Sequence, residues 1–161
     1  NTSYTIIAGG KRIASSSHAL DVSQYSDTYI AAESTGYYAL YNFKGKKLTK
    51  TYQNAFNEVG QNIYSRWISN TEYEYIRCDA DGTNKVLFRV KCPNGRPGTL
   101  PTDGAGVYAL RTDEHTITCF DRFGTTLGTI KNDGAMTQEI TFENGCVRVM
   151  DKLSLPTGEE I

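Results

Sequence analysis

At 161 residues the chain is sized for one domain and long enough to bury a core without metal or disulfide staples. Apolar residues make up 39% and charged residues 22%, and 17 basic against 18 acidic side chains leave a formal charge of −1. These values fit an ordinary soluble protein and exclude a chain dedicated to nucleic acid or anionic membrane, which needs clustered cations.

Strand signals follow one another along the chain, and no segment sustains the i, i+3, i+4 apolar pattern of a helix. No apolar run approaches the ~20 residues of a membrane span. Position 1 is asparagine, so the chain reads as a processed protein or a piece of something longer, and Asn1-Thr2-Ser3 fits a glycosylation sequon. "YTIIAGGKRI" reads as the tail of a first unit that turns at Gly10. "ASSS" then runs through His18 into "ALDV" as a polar loop, with no nucleophile elbow to support a triad.

From Tyr29, "YIAAES", a turn at "TG", "YYALYN", a turn at "FKG" and "KKLTKTY" form one unit. From Ile63, "IYSRWIS", a turn at "NT", "EYEYIRCD", a turn at "ADG" and "TNKVLFRV" form the next. The stretch from Cys92 to Gly106, "CPNGRPGTLPTDGAG", reads as a loop able to separate two units or two small domains. One domain over residues 1–161 is expected. From Val107 the units resume: "GVYALRT", "HTITCFD", "TTLGTIK" and "MTQEITF" are expected as four strands of one sheet. Gly124 and Gly145 stand where the turns need positive φ. "CVRVMDK" opens a last unit that is expected to stop after its second strand, with its "LPTG" turn out of register.

First strands thus begin near Tyr29, Ile63, Val107 and Cys146, roughly 40 residues apart, the period of a four-stranded propeller blade. The register agrees with stacking. Ala39 and Tyr41 correspond to Ile76 and Cys78, and then to Thr118 and Phe120, so one side of each strand faces a neighbouring unit. The fold class expected is all-β: antiparallel four-stranded meander repeats, propeller-like, about four units.

At "YIRCDADGTNKVL" the chain resembles the hairpins of TolB-like and related bacterial surface propellers, and "GYYALYNFKGKKL" is similar to the WG-repeat hairpin without its tryptophan-glycine pair. By period the likeness covers most of the chain, by letters only Asp81-Gly82-Thr83. The resemblance implies a non-catalytic, extracellular or cell-surface protein that binds a protein or cell-envelope partner. It supplies no catalytic residue.

The chemistry of the residues points the same way. Cys78, Cys92, Cys119 and Cys146 contain no Cys-x-x-Cys pair, and Cys78 and Cys119 read as small buried apolar groups in equivalent strands. "DADG" lacks the ligands of a calcium loop and reads as an Asp-Gly turn. His115 reads as a surface residue flanking a turn. Glu72 and Glu74 share one face of a strand but have no second site converging on them. No cofactor, metal ligand set or catalytic residue is assigned. What remains are aromatics and arginines. Trp67, in a first strand, with Tyr38, Tyr73 and Tyr75, is expected to line a rim where a sugar or protein stacks. Arg66 and Arg111, also in first strands like Arg148, are expected to border a polar central channel. The reading is a non-enzymatic binding module with a protein or cell-envelope glycan partner. A carbohydrate-binding domain and a glycan-acting hydrolase or lyase using carboxylates in a central cleft stand as its alternatives.

Overall fold

The computed structural model describes residues 4–16, 22–24, 28–34, 36–42, 44–54, 56–79, 81–93, 95–97 and 100–161. His18 and the Asn1-Thr2-Ser3 sequon lie outside them. All regular structure among the described residues is strand. A hairpin of β1 (Tyr4–Ala8) and β2 (Lys11–Ser16) comes first. A four-stranded meander follows, of β3 (Val22–Gln24), β4 (Thr28–Ser34), β5 (Tyr37–Asn42) and β6 (Tyr52–Gln53). The next sheet holds β7 (Phe56–Gly60), β8 (Ile63–Ser69), β9 (Glu72–Cys78) and β10 (Asn84–Lys91). Two three-stranded sheets complete the series: β11 (Val107–Asp113), β12 (Thr116–Asp121) and β13 (Thr126–Lys131), then β14 (Thr141–Glu143), β15 (Cys146–Val149) and β16 (Lys152–Ser154). Neighbours in sequence are neighbours in each sheet, and all pair antiparallel.

Isolated bridges extend both three-stranded sheets toward the four-stranded plan. Thr102 pairs with Tyr108 ahead of β11, and Ser154 pairs with Glu160 after β16. The phase therefore differs from the sequence expectation by one strand. The segments beginning at Tyr29, Ile63 and Cys146 are second strands, and "MTQEITF" opens the last sheet rather than closing the one before, because Thr141–Glu143 pairs with β15. Strand period alone marks the repeat length but leaves its starting point free.

One turn is built four times between the third and fourth strands. Gly45, Gly82, Gly124 and Gly158 each donate their N–H to the carbonyl three residues back, on Asn42, Asp79, Asp121 and Leu155, at 2.8–2.9 Å. All four glycines have positive φ, from 77° to 101°. This is a tight turn closed by a left-handed residue, the conformation that lets two strands keep their twist across a short loop. Asn42 and Asp121 reinforce it with side-chain oxygens that accept two backbone N–H bonds each. "LPTG" is thus in register, and the last unit does not stop after its second strand.

The core consists of interfaces between sheets. Leu40, Leu48, Phe56, Tyr64, Ile76 and Cys78 join the β3–β6 sheet to the β7–β10 sheet. Ile63, Tyr73, Tyr75, Val90, Cys92, Tyr108, Leu110 and Phe120 join that sheet to β11–β13, with residues from both sides of the Cys92–Gly106 loop. Ala109, Ile117, Cys119, Ile130, Ile140, Val147 and Val149 join β11–β13 to β14–β16. Alternation along β9 sends Tyr73 and Tyr75 to one interface and Ile76 and Cys78 to the other. The middle strands are thereby covered on both faces, and the result is a propeller-like series of stacked sheets.

Burial raises the Cys78 and Cys119 thiols to about 11, as expected of packing residues rather than nucleophiles.

Candidate functional site

The site is built on one face of the β7–β10 sheet. In the register Asn57 opposes Ser65, Ser65 opposes Tyr75, and Trp67 opposes Tyr73, so these five side chains form a continuous panel. The panel looks toward the β11–β13 sheet. Arg96, Pro97 and Leu100 of the connecting loop fold over its end and, with Val59, close a cleft of about 170 Å³. Trp67 and Tyr73 meet edge to face with ring centroids 5.7 Å apart. Tyr73 and Tyr75 are buried, whereas Trp67 remains 36% exposed. Above its ring stands the Arg96 guanidinium, 5.2 Å from the centroid. Burial raises the Tyr73 phenol, and the Arg96 charge and hydrogen bond pull it partly back. Burial also raises Tyr75, so both phenols stay neutral hydrogen-bonding groups.

A register shift follows Trp67 in its pairing with β9, between Trp67 and Ser69. The same shift occurs between Ala32 and Ser34 and between Arg111 and Asp113. Bulges of this kind re-aim the side chains beside them. They also place Trp67 and Arg111 at equivalent points of successive sheets. The two points are finished differently. Arg111 is 1% exposed and fills its interface, with NH1 donating to the Asn132 carbonyl at 2.6 Å and NH2 to Asn132 Oδ1 and Gln138 Oε1 at 2.8 Å. Burial pulls its guanidinium below the ordinary arginine value. At the Trp67 point the connecting loop leaves a hollow beside an aromatic ring.

Trp67, Tyr73 and Tyr75 are therefore brought together. Arg66 is not with them: it points to the opposite face of β8, where Nε and NH2 hold Glu74 Oε1 at 3.1 and 3.0 Å and the guanidinium lies 4.1 Å from the centre of the Tyr52 ring. Tyr38 packs on that same side, against the cluster around Leu40 and Tyr64. Arg111 is a clamp on the loop after β13 and does not line the Trp67 cleft. Trp67 and Arg66 stand in the second strand of their sheet, inside β7 and β9, not in a first strand.

Glu74 is 2% exposed, and its second oxygen accepts from Arg89 Nε at 2.9 Å. Both of its oxygens are thus occupied, which leaves no free carboxylate to pair with Glu72 in acid–base chemistry. Among the described residues no three His, Cys, Asp or Glu side chains gather as metal ligands, and no helix is long and apolar enough to cross a membrane. Arg96 went unnoticed in the sequence. Its signal was present: an arginine between Gly95 and Pro97, the one basic residue of the Cys92–Gly106 loop.

A larger hollow of about 440 Å³ lies at the β15–β16 turn, between Lys131, Asp133, Met150, Asp151 and Lys152. Its two lysines are matched by two aspartates, and it has no aromatic wall.

No family model matches the chain, and no curated protein is significantly similar to it. Among solved structures it is similar to the computationally designed Ika8 protein, at 15% identity and TM-score 0.44, over 94% of this chain and 51% of that one. It is similar to BamB from Moraxella catarrhalis at 10% identity and TM-score 0.41, over 94% and 54%. The designed Ika4 protein follows at 13% identity and TM-score 0.38, over 91% of both chains. The chain spans about half the length of the first two.

Proposed function

We propose that this chain is a non-enzymatic binding module that holds its ligand in the Trp67 cleft. One observation carries the reading: at equivalent points of two neighbouring interfaces, Arg111 fills the space with a buried, hydrogen-bonded side chain, whereas Trp67 borders an open, aromatic-walled hollow. A position that the fold can plug, left unplugged and lined by rings, suits recognition. The resemblance of the hairpins to TolB-like and WG-repeat proteins supports a binding role at the cell surface or outside the cell. Rings paired with neutral polar groups, Asn57 and Ser65, favour a cell-envelope glycan over a protein partner.

The test is thermal unfolding against a panel of glycans and peptides, in the native chain and in Trp67→Ala. A ligand of the native state raises the midpoint by stabilisation of about 2.7 kcal/mol at a hundred times its dissociation constant. The shift should vanish in Trp67→Ala while the variant still melts cooperatively. A ligand that shifts both proteins equally binds elsewhere and refutes the assignment.

A further inference from the structure

We propose that the cleft selects an acidic sugar, a uronic-acid residue of a polyanionic glycan, with its ring against Trp67 and its carboxylate on Arg96. The proposal rests on the reading of the cleft as the ligand site. Its volume of about 170 Å³ lies below the roughly 300 Å³ where drug-sized pockets begin, so it suits one ring, with the rest of a polymer running outside.

Charge then narrows the class. Among the described residues Arg96 is the one ionic side chain in the cleft wall, and no carboxylate lines it. Elsewhere in the molecule Arg66 and Arg89 hold Glu74, Arg77 holds Asp79, and Arg148 holds Glu143. Arg96, among the described residues, has the Trp67 ring and the Tyr73 hydroxyl but no carboxylate. A neutral sugar must displace the guanidinium from the ring face it needs, and it offers the cation only neutral hydroxyl acceptors in return. A uronate draws the guanidinium onto its own carboxylate, where two N–H groups can donate side by side, and frees the ring for stacking. Asn57 and Ser65, on the same sheet face, can take up its hydroxyls without adding a competing charge.

Trp67 is the chain's only tryptophan, so its emission reports the cleft directly. The experiment titrates the whole chain with oligogalacturonate and oligoglucuronate, and with the fully methyl-esterified form of each, which has the same rings without the charge. The acid form of at least one should shift the emission and bind about tenfold or more tighter than its ester. Arg96→Gln should abolish that preference with an unchanged circular dichroism spectrum. Equal binding of acid and ester, or a preference that survives in Arg96→Gln, overturns the proposal. If no uronate moves the emission but Trp67→Ala still loses another ligand from the panel, the acidic-sugar assignment falls and the cleft stands. If Trp67→Ala loses nothing, both fall.

Discussion

Glu74 illustrates how a charge comes to be tolerated in this protein. It lies in one cross-strand row with Arg66 on β8 and Arg89 on β10, so the pairing register itself delivers a cation to each of its oxygens. Removing one member of such a row strands the others. Glu74→Ala leaves Arg66 largely buried beside Tyr52 without its counter-charge, and should cost about 3 kcal/mol in urea unfolding. Arg89→Ala should cost less, about 1–2 kcal/mol, because the Arg89 side chain is 60% exposed and Arg66 still holds the carboxylate, although one buried oxygen loses its partner. Equal losses would mean that the exposure of Arg89 does not weaken its hold on Glu74 relative to that of Arg66. Neither arginine's partner could be named from the sequence, where Glu74 stood out only as half of an acidic pair with Glu72.

Among elements, the recurrent third-to-fourth-strand turn does two jobs. It closes each hairpin, and it brings the tip of one sheet against the next. Lys46 Nζ donates to the Asp81 carbonyl at 2.5 Å, and Asn84 Nδ2 to the Leu48 carbonyl at 2.8 Å, each across a sheet boundary. A Cβ on Gly124 would run into the Leu87 side chain of the preceding sheet. Gly145 has a similar φ of +78° but open space around it. The pair separates the two roles of glycine. Gly145→Ala should cost about 1 kcal/mol for the left-handed backbone alone. Gly124→Ala should cost at least about 1 kcal/mol more, since Leu87 must also give way. A chemical denaturation series that ranked the two variants equally would show that the tips do not press on their neighbours. The turns were legible in the sequence because their chemistry is local: Asn or Asp at the first position and glycine at the fourth announce the conformation. "LPTG" lacks that signal, since leucine has no side-chain acceptor such as Asn42 and Asp121 supply, yet the backbone bonds form without it.

At the scale of the molecule, the described residues pack in three interfaces, each made by two sheets that are adjacent in the chain. Phe120 is fully buried between Tyr108 and Phe88, at centroid distances of 5.7 and 4.8 Å. Phe120→Ala should therefore cost about 3–5 kcal/mol. Because it opens the interface that also frames the Trp67 cleft, it should weaken ligand binding as well. Ile140, fully buried in the next interface, offers the control: Ile140→Ala should destabilise by about 2–5 kcal/mol and leave binding to the remaining folded protein unchanged. Loss of binding in both variants would place the ligand outside the cleft.

The amino-acid sequence by itself determined that the chain is all strand, that it repeats, where its hairpins turn, and which side chains alternate between two buried faces. Each of these depends on residues within a few positions of one another, through turn chemistry and the two-residue period of a strand. Tertiary structure alone decided the rest. It assigned "MTQEITF" to the final sheet, laid Arg66 against the Tyr52 ring of the preceding sheet, and buried Arg111 beneath a loop that begins about 20 residues further on in the chain. It also laid Arg96 over Trp67. Those outcomes depend on how sheets stack and how the loops between them fold back, and no short window of sequence contains both partners of such a contact.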